Sequence, residues 1–506
     1  MIRIESMLIK DRIYPRKTKE MIQIIKKADK EGHLLETIKE EFFRPISVTA
    51  LWACREYFHK LPEEVYHQNT GESMALISLR ALLATMENDL EGAKAYIGIF
   101  GETQKNISPE DFSQRDYFCL TAQLVMPYIS DNEFFHVVAT MQRVNISQIQ
   151  SLTLSASRPS ILNGFRDFTR YGKELIRYRE TITNMVRMLY GESGKGVFEI
   201  ALAEWHYQIN DSFRALLLVT GTIPMMENVQ DMQCLFVAMA LQMKILLLNG
   251  QSQAAQPLVE KIRERIKKTG WEELTNSLNA LGAWAACYDG NQDIVQEWLD
   301  TLAPDETKEL YMMDMYAYLV KIRCYLMTGK YMLAIIFAKQ LIPVLKKGYR
   351  HMDVCECYML SAIACCKAGA LEDMCAELEE ALKIAQKYQY IRLLADEGAY
   401  MVKMLTIYHK RKESNAFTEK ILLLAGEVAK RLPDYLKSAE EYFEPLTVTE
   451  KQVLGLMAQG LSYQEIGKMT GKKVGTVKFH SAGIFRKLQV KNRQQAVNRA
   501  NEIGLI

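Results

Sequence analysis

From Leu446 to Val497 the chain reads LTVTEKQVLGLMAQGLSYQEIGKMTGKKVGTVKFHSAGIFRKLQVKNRQQAV, and this stretch spells out a compact four-helix module. Thr447 with Glu450 makes a capping box ahead of the apolar run Val453, Leu454, Leu456 and Met457, and Gly460 ends that helix. Ser462 with Glu465 opens a second helix to about Met469, and Gly471 marks a turn. A third helix runs from near Val474 to about Leu488. Asn492 with Gln495 opens a fourth through Asn501. Helices of about three turns are marginal alone in water, so the four must pack together.

On a wheel of about 100° per residue, Val477, Ser481, Ile484 and Leu488 share one stripe of the third helix, which is its buried side. Gly475, Lys478, Phe479, Ala482 and Arg486 fall on the opposite side. A water-facing Phe beside Lys is unfavourable unless the face meets something. Lys and Arg can reach guanine acceptors or phosphates, and Phe and Ala can touch a thymine methyl. Charge points the same way. From Leu446 onward there are ten Lys+Arg and three Asp+Glu, a charge of +7, whereas the preceding 445 residues carry −5, and the overall +2 conceals the split. A basic terminal module on a mildly acidic body is the electrostatic footprint of nucleic-acid binding.

These residues closely resemble the LuxR-type helix-turn-helix. The segment has that family's L-T-x-x-E-x-x-V-L-x-L-x-A-x-G-L-S-x-x-E-I opening, its T-V-K-x-H-x-x-x-I-x-x-K-L core, and its V-x-x-R-x-x-A-V ending at Val490, Arg493, Ala496 and Val497. The T-V-K-x-H core separates it from the promoter-reading region of sigma factors. The resemblance implies that Lys478, Phe479 and Ala482 face bases and that Ser462, Thr476, Lys487 and Arg493 contact phosphates. Lys472 and Lys473 replace the family's usual Ile-Ser, which removes the serine cap of the third helix and adds two phosphate-seeking charges. Arg486 shares the outward face. His480 either ties helix to helix or meets a phosphate. Ala496, Val497 and Ala500 form a small apolar patch on the fourth helix, which by resemblance makes the dimer contact. A patch this small predicts a monomer in dilute solution and a dimer on DNA with two half-sites.

The other 445 residues show helical periodicity and no strand signal. LLLNGQSQAAQPLV, ACYDGNQDIVQEWL, YLMTGKYMLAIIFA and CCKAGALEDMCAEL each read as helix, glycine turn, helix, with Gly250, Gly290, Gly329 and Gly369 spaced by 40, 39 and 40. Asp211 fits one step earlier, and a further copy around Asn88 lies out of register. Five residues past each turn stand Leu216, Ala255, Val295, Ala334 and Met374, which should pack one helix of the hairpin on the other. A hairpin cannot bury its apolar face alone, so the units should stack into a superhelix with a groove. The period exceeds the roughly 34 residues of ordinary tetratricopeptide repeats. The expected fold is therefore all-α: a tetratricopeptide-like hairpin superhelix followed by the four-helix module.

Leu378–Leu405, with its R-x-x-x-D-E-G run at Arg392 to Gly398, resembles the last repeat and junction of MalT-like regulators, large bacterial activators with a tetratricopeptide-like sensor. Ser157–Tyr171 resembles the same group. Asp396 and Glu397 are expected to cap the following helix rather than form a catalytic pair. The boundaries expected are a charged leading segment at 1–17, the repeat sensor at 18–408, a helix and linker at 409–445, and the helix-turn-helix at 446–506.

The larger MalT-like proteins begin with an ATPase, and no phosphate loop is found here. At Gly194-Lys195, Leu189 stands where the first glycine belongs and Gly196 replaces the magnesium-binding hydroxyl. The ten cysteines form no C-x-x-C pair and read as core residues of a reducing cytosol. The eight histidines have no metal spacing, and no nucleophile motif is found. Apolar runs such as Ala215–Val219 are far too short to cross a bilayer. No catalytic residue, cofactor or metal is expected.

Together these features imply a cytoplasmic bacterial transcription regulator. Its repeat groove would receive a small-molecule or protein effector, and its partners would be double-stranded promoter DNA and RNA polymerase. The alternative is a protein-interaction scaffold anchored to DNA. Purified protein is expected not to hydrolyse ATP; steady phosphate release that disappears in Lys195→Ala would contradict the phosphate-loop reading.

Overall fold

The computed structural model describes residues 18–43, 46–66, 71–98, 130–144, 158–227 except 165, 232–269, 274–431, 446–488 and 490–502, with a few isolated positions between them. The leading segment 1–17 and the linker 432–445 lie outside the described residues. The chain is all-α. Its strands, among the described residues, are the two-residue parallel pair Ile46–Ser47 and Ser151–Leu152, too short to change the class.

The first helices are α1 (Thr18–Glu31), α2 (Leu34–Phe42), α3 (Val48–Ala53), α4 (Arg55–Phe58), α5 (Gly71–Met86) and α6 (Leu90–Gly98). They enclose a core of their own, containing Ile25, Phe42, Phe58 and Ile77. Its edge reaches Met312 and Met313, and Trp52 meets Tyr311 edge-on at 4.9 Å. α5 and α6 are the copy foreseen around Asn88, whose φ of 62° makes the turn. Then come α7 (Asp131–Arg143) and α8 (Arg179–Tyr190).

The repeats follow as hairpins. They pair α9 (Val197–Gln208) with α10 (Ser212–Met226), α11 (Gln233–Leu248) with α12 (Ser252–Thr269), α13 (Thr275–Asp289) with α14 (Gln292–Thr301), α15 (Met315–Met327) with α16 (Tyr331–Lys347), and α17 (His351–Lys367) with α18 (Leu371–Tyr388). α19 (Ile391–Ala395), α20 (Ala399–His409) and α21 (Ala416–Arg431) end the array. The first helix of each hairpin is buried nearly all round, as in α11, because it sits between neighbours and the interior. The turn glycines Gly250, Gly290, Gly329 and Gly369 all have positive φ, which a side chain would strain. The first hairpin differs from the alignment by one residue. Its left-handed position is Asn210, at φ 70°, while Asp211 caps α10 by accepting from the Arg214 amide. Asn tolerates this conformation better than most residues. Ala215, five residues on, is accordingly the buried one, and Leu216 is only half-buried. Ala255, Val295, Ala334 and Met374 are buried as expected.

The array returns on itself. The Tyr207 hydroxyl on α9 donates to Asp396 Oδ2 at 2.7 Å, and Arg392 on α19 pairs with Asp396 Oδ1 at 2.6 Å. Arg392 also reaches Asn210 Oδ1 at 3.3 Å, and the Leu393 amide donates to Gln208 Oε1 at 3.2 Å. Arg431 on α21 reaches Asn249 at 3.3 Å. The last units thus dock on the first. Asp396 and Glu397 do not cap α20, whose N-cap is Gly398; they are buried ion-pair partners, Glu397 holding Arg323 at 2.6 Å. A short helical hairpin needs no cap from them, whereas buried arginines need carboxylates.

A strap made of residues 158–164 and 166–174 crosses the inside of this ring. Near its start Glu204 on α9 accepts from Ser160 Oγ at 2.5 Å and the Ile161 amide at 2.7 Å. Further along, Asp353 on α17 accepts from Arg158 at 2.6 Å, Asn163 Nδ2 at 2.6 Å and Arg350 at 2.5 Å. Arg350 also donates to the Gly164 carbonyl at 3.0 Å, and Thr169 Oγ1 lies 2.6 Å from Tyr390 Oη. Gly172 lets the strap lie flat, because a Cβ there would meet Trp205 Cε3 at 2.0 Å. Burial alone would raise the Asp353 pKa, but Arg158 and Arg350 overcome it and hold the carboxyl at about 2.

Asp353→Ala should therefore destabilise the repeat region by about 3–5 kcal/mol in urea unfolding, since it leaves buried cations unpaired. Because the folded pKa lies below the unfolded one, this stabilisation is present in full above about pH 4. It is lost as pH falls through about 2, and the acid-unfolding midpoint of Asp353→Asn should respond less to pH in that window.

Candidate functional site

The C-terminal module is built as its sequence requires. α22 (Val448–Ala458) and α23 (Tyr463–Thr470) both begin with complete capping boxes, Thr447 with Glu450 and Ser462 with Glu465. α24 (Val474–Lys487) starts at Lys473 with no side-chain cap, as the loss of the family serine implies, and α25 (Arg493–Glu502) closes the bundle. The turn between α23 and α24 has Gly471 at φ 67°. It is so tight that a Cβ on Gly467 would sit 2.7 Å from the Lys472 carbonyl oxygen. Val453, Leu454, Ile466, Val477, Ile484 and Leu488 form the core.

That core fixes what α24 shows to solvent. Val477 and Ser481 are buried, Ser481 donating to the Val477 carbonyl at 2.8 Å. Gly475, Thr476, Lys478, Phe479, Ala482 and Arg486 are exposed, with Phe479 75% open. Lys473 is exposed and Lys472 half-exposed at the start of the same helix. Ser462 is exposed at the start of α23, its Oγ accepting from the Glu465 amide at 3.3 Å. The predicted base-facing and turn residues thus lie along one exposed edge. His480 is half-buried beside Phe479, ring centroids 6.0 Å apart.

Two predicted phosphate contacts are placed differently. Lys487 Nζ donates to Glu450 Oε2 at 2.7 Å, both side chains being about one-tenth exposed, so it ties α24 to α22. Burial works against the Glu450 carboxylate, but the bonds from Lys487 and Thr447 outweigh it and lower its pKa. Arg493 donates to the Met457 carbonyl at 2.7 Å and anchors α25 to the end of α22. The dimer patch also changes. Ala496 and Ala500 are completely buried in the module's own core, with Val497 half-buried against it. Small residues there let α25 approach α22; the outward face of α25 carries Gln494, Gln495 and Asn498 instead. A spacing of i, i+1, i+4 identifies a packing face but not its partner.

The repeat ring holds a second feature that spacing could not reveal: a cavity of ≈ 140 Å³ lined by the first helices of successive hairpins and by the strap. Trp284, Tyr288 and Tyr316 supply aromatic walls. Lys244, Arg158, Arg323, Glu204, Glu356, Asp396 and Glu397 supply charge, with Arg350, Arg392 and Asp353 paired directly behind them. Arg323 bonds both Glu356, at 2.8 Å, and Glu397. Burial raises the Glu204 pKa to about 7 against the opposing bonds from Ser160, Ile161 and Leu162. The first-helix charges are hard to see in sequence because each stands singly in an apolar run; the R-x-x-x-D-E-G run was the visible trace.

The chain combines a closed array of helical hairpins with a C-terminal helix-turn-helix that has an exposed basic edge. Residues 192–411 match the model of the MalT-like TPR region, and residues 444–500 match that of bacterial regulatory proteins, luxR family. The chain thus carries a region similar to the MalT-like repeats and a C-terminal domain similar to the LuxR-type helix-turn-helix. Among similar proteins, the transcriptional activator protein EsaR of Pantoea stewartii is 32% identical over 115 residues, 23% of this chain and 41% of its own. The response regulator protein VraR of Staphylococcus saprophyticus is 39% identical over 81 residues, 16% of this chain and 39% of its own. The transcriptional regulatory protein DesR of Bacillus subtilis is 39% identical over 72 residues, 14% and 36% of the two chains. The chain thus spans about two fifths of the length of these relatives.

Lys478→Ala should weaken binding to a preferred duplex by roughly 1–3 kcal/mol and relax base preference. Lys473→Ala should weaken all duplexes alike and flatten the salt dependence. Lys487→Met should instead destabilise the module by about 3 kcal/mol, because Glu450 loses its buried partner. Fluorescence anisotropy across a salt series, with thermal unfolding of each variant, separates the three effects; an unchanged melting curve for Lys487→Met would contradict its assignment.

Proposed function

We propose that this chain is a bacterial transcription regulator whose repeat ring receives a small-molecule signal and whose helix-turn-helix binds double-stranded promoter DNA. The observation that carries the first half is the exposed edge of α24, where Lys478, Phe479, Ala482 and Arg486 lie outside the core to which Val477, Ser481 and Ile484 belong. Backbone contacts would come from Ser462, Lys472, Lys473 and Thr476. The second half rests on the lined cavity, whose charged and aromatic walls suit a polar ligand.

The functional parts are the leading segment 1–17, the repeat sensor 18–408, the linking helix and segment 409–445, and the reader 446–506. The working form on DNA would be a dimer meeting through the outward, polar face of α25. RNA polymerase would be a further partner, and the cytoplasm the site of action. No helix among the described residues is long and apolar enough to cross a membrane. No catalytic role is assigned to any residue.

A protein-partner reading has one observation in its favour. Phe213, Leu217, Met332 and Ile336 are exposed on the second helices of two hairpins. The two readings part on one experiment. DNA fragments captured in the cell by the full chain and by residues 446–506 alone are sequenced with and without candidate signals. Regulation predicts a common sequence motif whose occupancy by the full chain varies with the signal. Scaffolding predicts constant occupancy and protein partners lost with the repeats.

A further inference from the structure

An ammonium group without an acceptor faces the cavity. Lys244 on α11 approaches one carboxylate, that of Asp396, and only to 3.9 Å. Asp396 is already engaged, holding Arg392 at 2.6 Å and the Tyr207 hydroxyl at 2.7 Å. Nζ lies 5.1 Å from the centroid of the Tyr207 ring and 5.8 Å from that of Trp284, which orient it. Although Lys244 lies inside the ring of helices, 29% of its side-chain surface stays open, because it lines the cavity. Burial lowers its pKa, so the charged form lacks the solvation it would have in water.

The same cavity shows an open acceptor. Glu356 on α17 receives both Arg323 bonds, at 3.2 and 2.8 Å, on Oε1, and Oε2 accepts none. Lys244 and Glu356 do not pair with each other. Every other charged lining group has its partner: Arg158 with Asp353, Arg323 with Glu356 and Glu397, Asp396 with Arg392, and Glu204 with Ser160. The lining and the partners behind it come close to balance, five cations against four carboxylates and Glu204, whose pKa burial raises to about 7. A ligand with net charge would upset that balance in a poorly solvated interior, and a zwitterion would not. Trp284 and Tyr288, ring centroids 4.7 Å apart, offer an apolar wall. The volume equals roughly ten water sites, enough for a molecule of about a dozen non-hydrogen atoms.

We propose that the cavity binds a free α-amino acid with a large apolar side chain, its carboxylate on Lys244, its ammonium on Glu356 Oε2 and its side chain against Trp284 and Tyr288. This rests on the small-molecule reading of the repeat ring and gives that reading a ligand class. Both ends are recognised by charge-assisted hydrogen bonds, so removing either charge from the ligand should weaken binding sharply.

The test uses the full chain in calorimetry and thermal shift with L-phenylalanine, L-tryptophan and L-leucine, each beside its amide and its N-acetyl derivative, and with sucrose as a neutral polyol. At least one amino acid should bind saturably, and its amide and N-acetyl forms should bind at least about tenfold more weakly. Lys244→Met should abolish binding while keeping the helical circular dichroism and melting temperature of the ligand-free protein. If that variant does not fold, the amide and N-acetyl series on the unmodified chain decides alone. Equal binding of the derivatives, undiminished binding by a folded Lys244→Met, or no amino-acid binding overturns the proposal. Sucrose binding without amino-acid binding rejects the zwitterion and keeps the small-molecule reading. No binding by any probe, together with DNA occupancy indifferent to removal of the repeats, rejects both.

Discussion

The repeat region depends on one buried constraint: Asp396 forms an ion pair with Arg392 beside it and accepts from Tyr207 on the first hairpin. Stacked hairpins ordinarily interact only with their neighbours and leave an open spiral. Here a pair from opposite ends of the array meets inside, and the spiral becomes a ring with an interior. Closure of this kind is costly in desolvation, since buried ions are compensated only when geometry and additional hydrogen bonds are good. Further bonds across the closure add to it, Arg392 reaching the Asn210 carboxamide and the Leu393 amide reaching Gln208. An interior lined by paired charges, with Lys244 unsatisfied, is a consequence of closure, because an open groove would hydrate the same groups.

The sequence showed the hairpins and the reader because both are local. A turn glycine every 40 residues or so, a small residue five positions on, and capping boxes ahead of apolar runs are all encoded within a few residues of where they act. The ring, the strap and the cavity are not local. Arg158 meets Asp353 across 195 positions, and Tyr207 meets Asp396 across 189. No periodicity announces such pairs, and single charges in apolar helices look like ordinary irregularities. Arg392, Asp396 and Glu397 drew attention as a run, yet their role as pairing partners rather than caps required the fold.

In the reader the balance is similar. Val477, Ser481, Ile484 and Leu488 fixed the inner stripe, and with it the outward residues, since a helix has only one way to bury a given stripe. Lys487, Arg493 and Ala496 could not be placed that way. Lys487 and Arg493 lie where a helix end meets its neighbour, and there a long cation can fold back onto a carboxylate or carbonyl as readily as it can reach out.

The strap has a consequence for how the chain comes into being. It precedes the five hairpins from α9 to α18 in sequence but finds its Asp353 anchor on α17, so during synthesis it must wait. At typical elongation rates of about 5–20 residues per second, the gap between Arg158 and Asp353 lasts on the order of 10–40 s. An apolar strap exposed for so long would invite aggregation. Arg158, Asn163 and Thr169 can stay hydrated until Asp353 and Tyr390 emerge. Their polar character lets the interior be assembled last, around a segment that water holds in readiness.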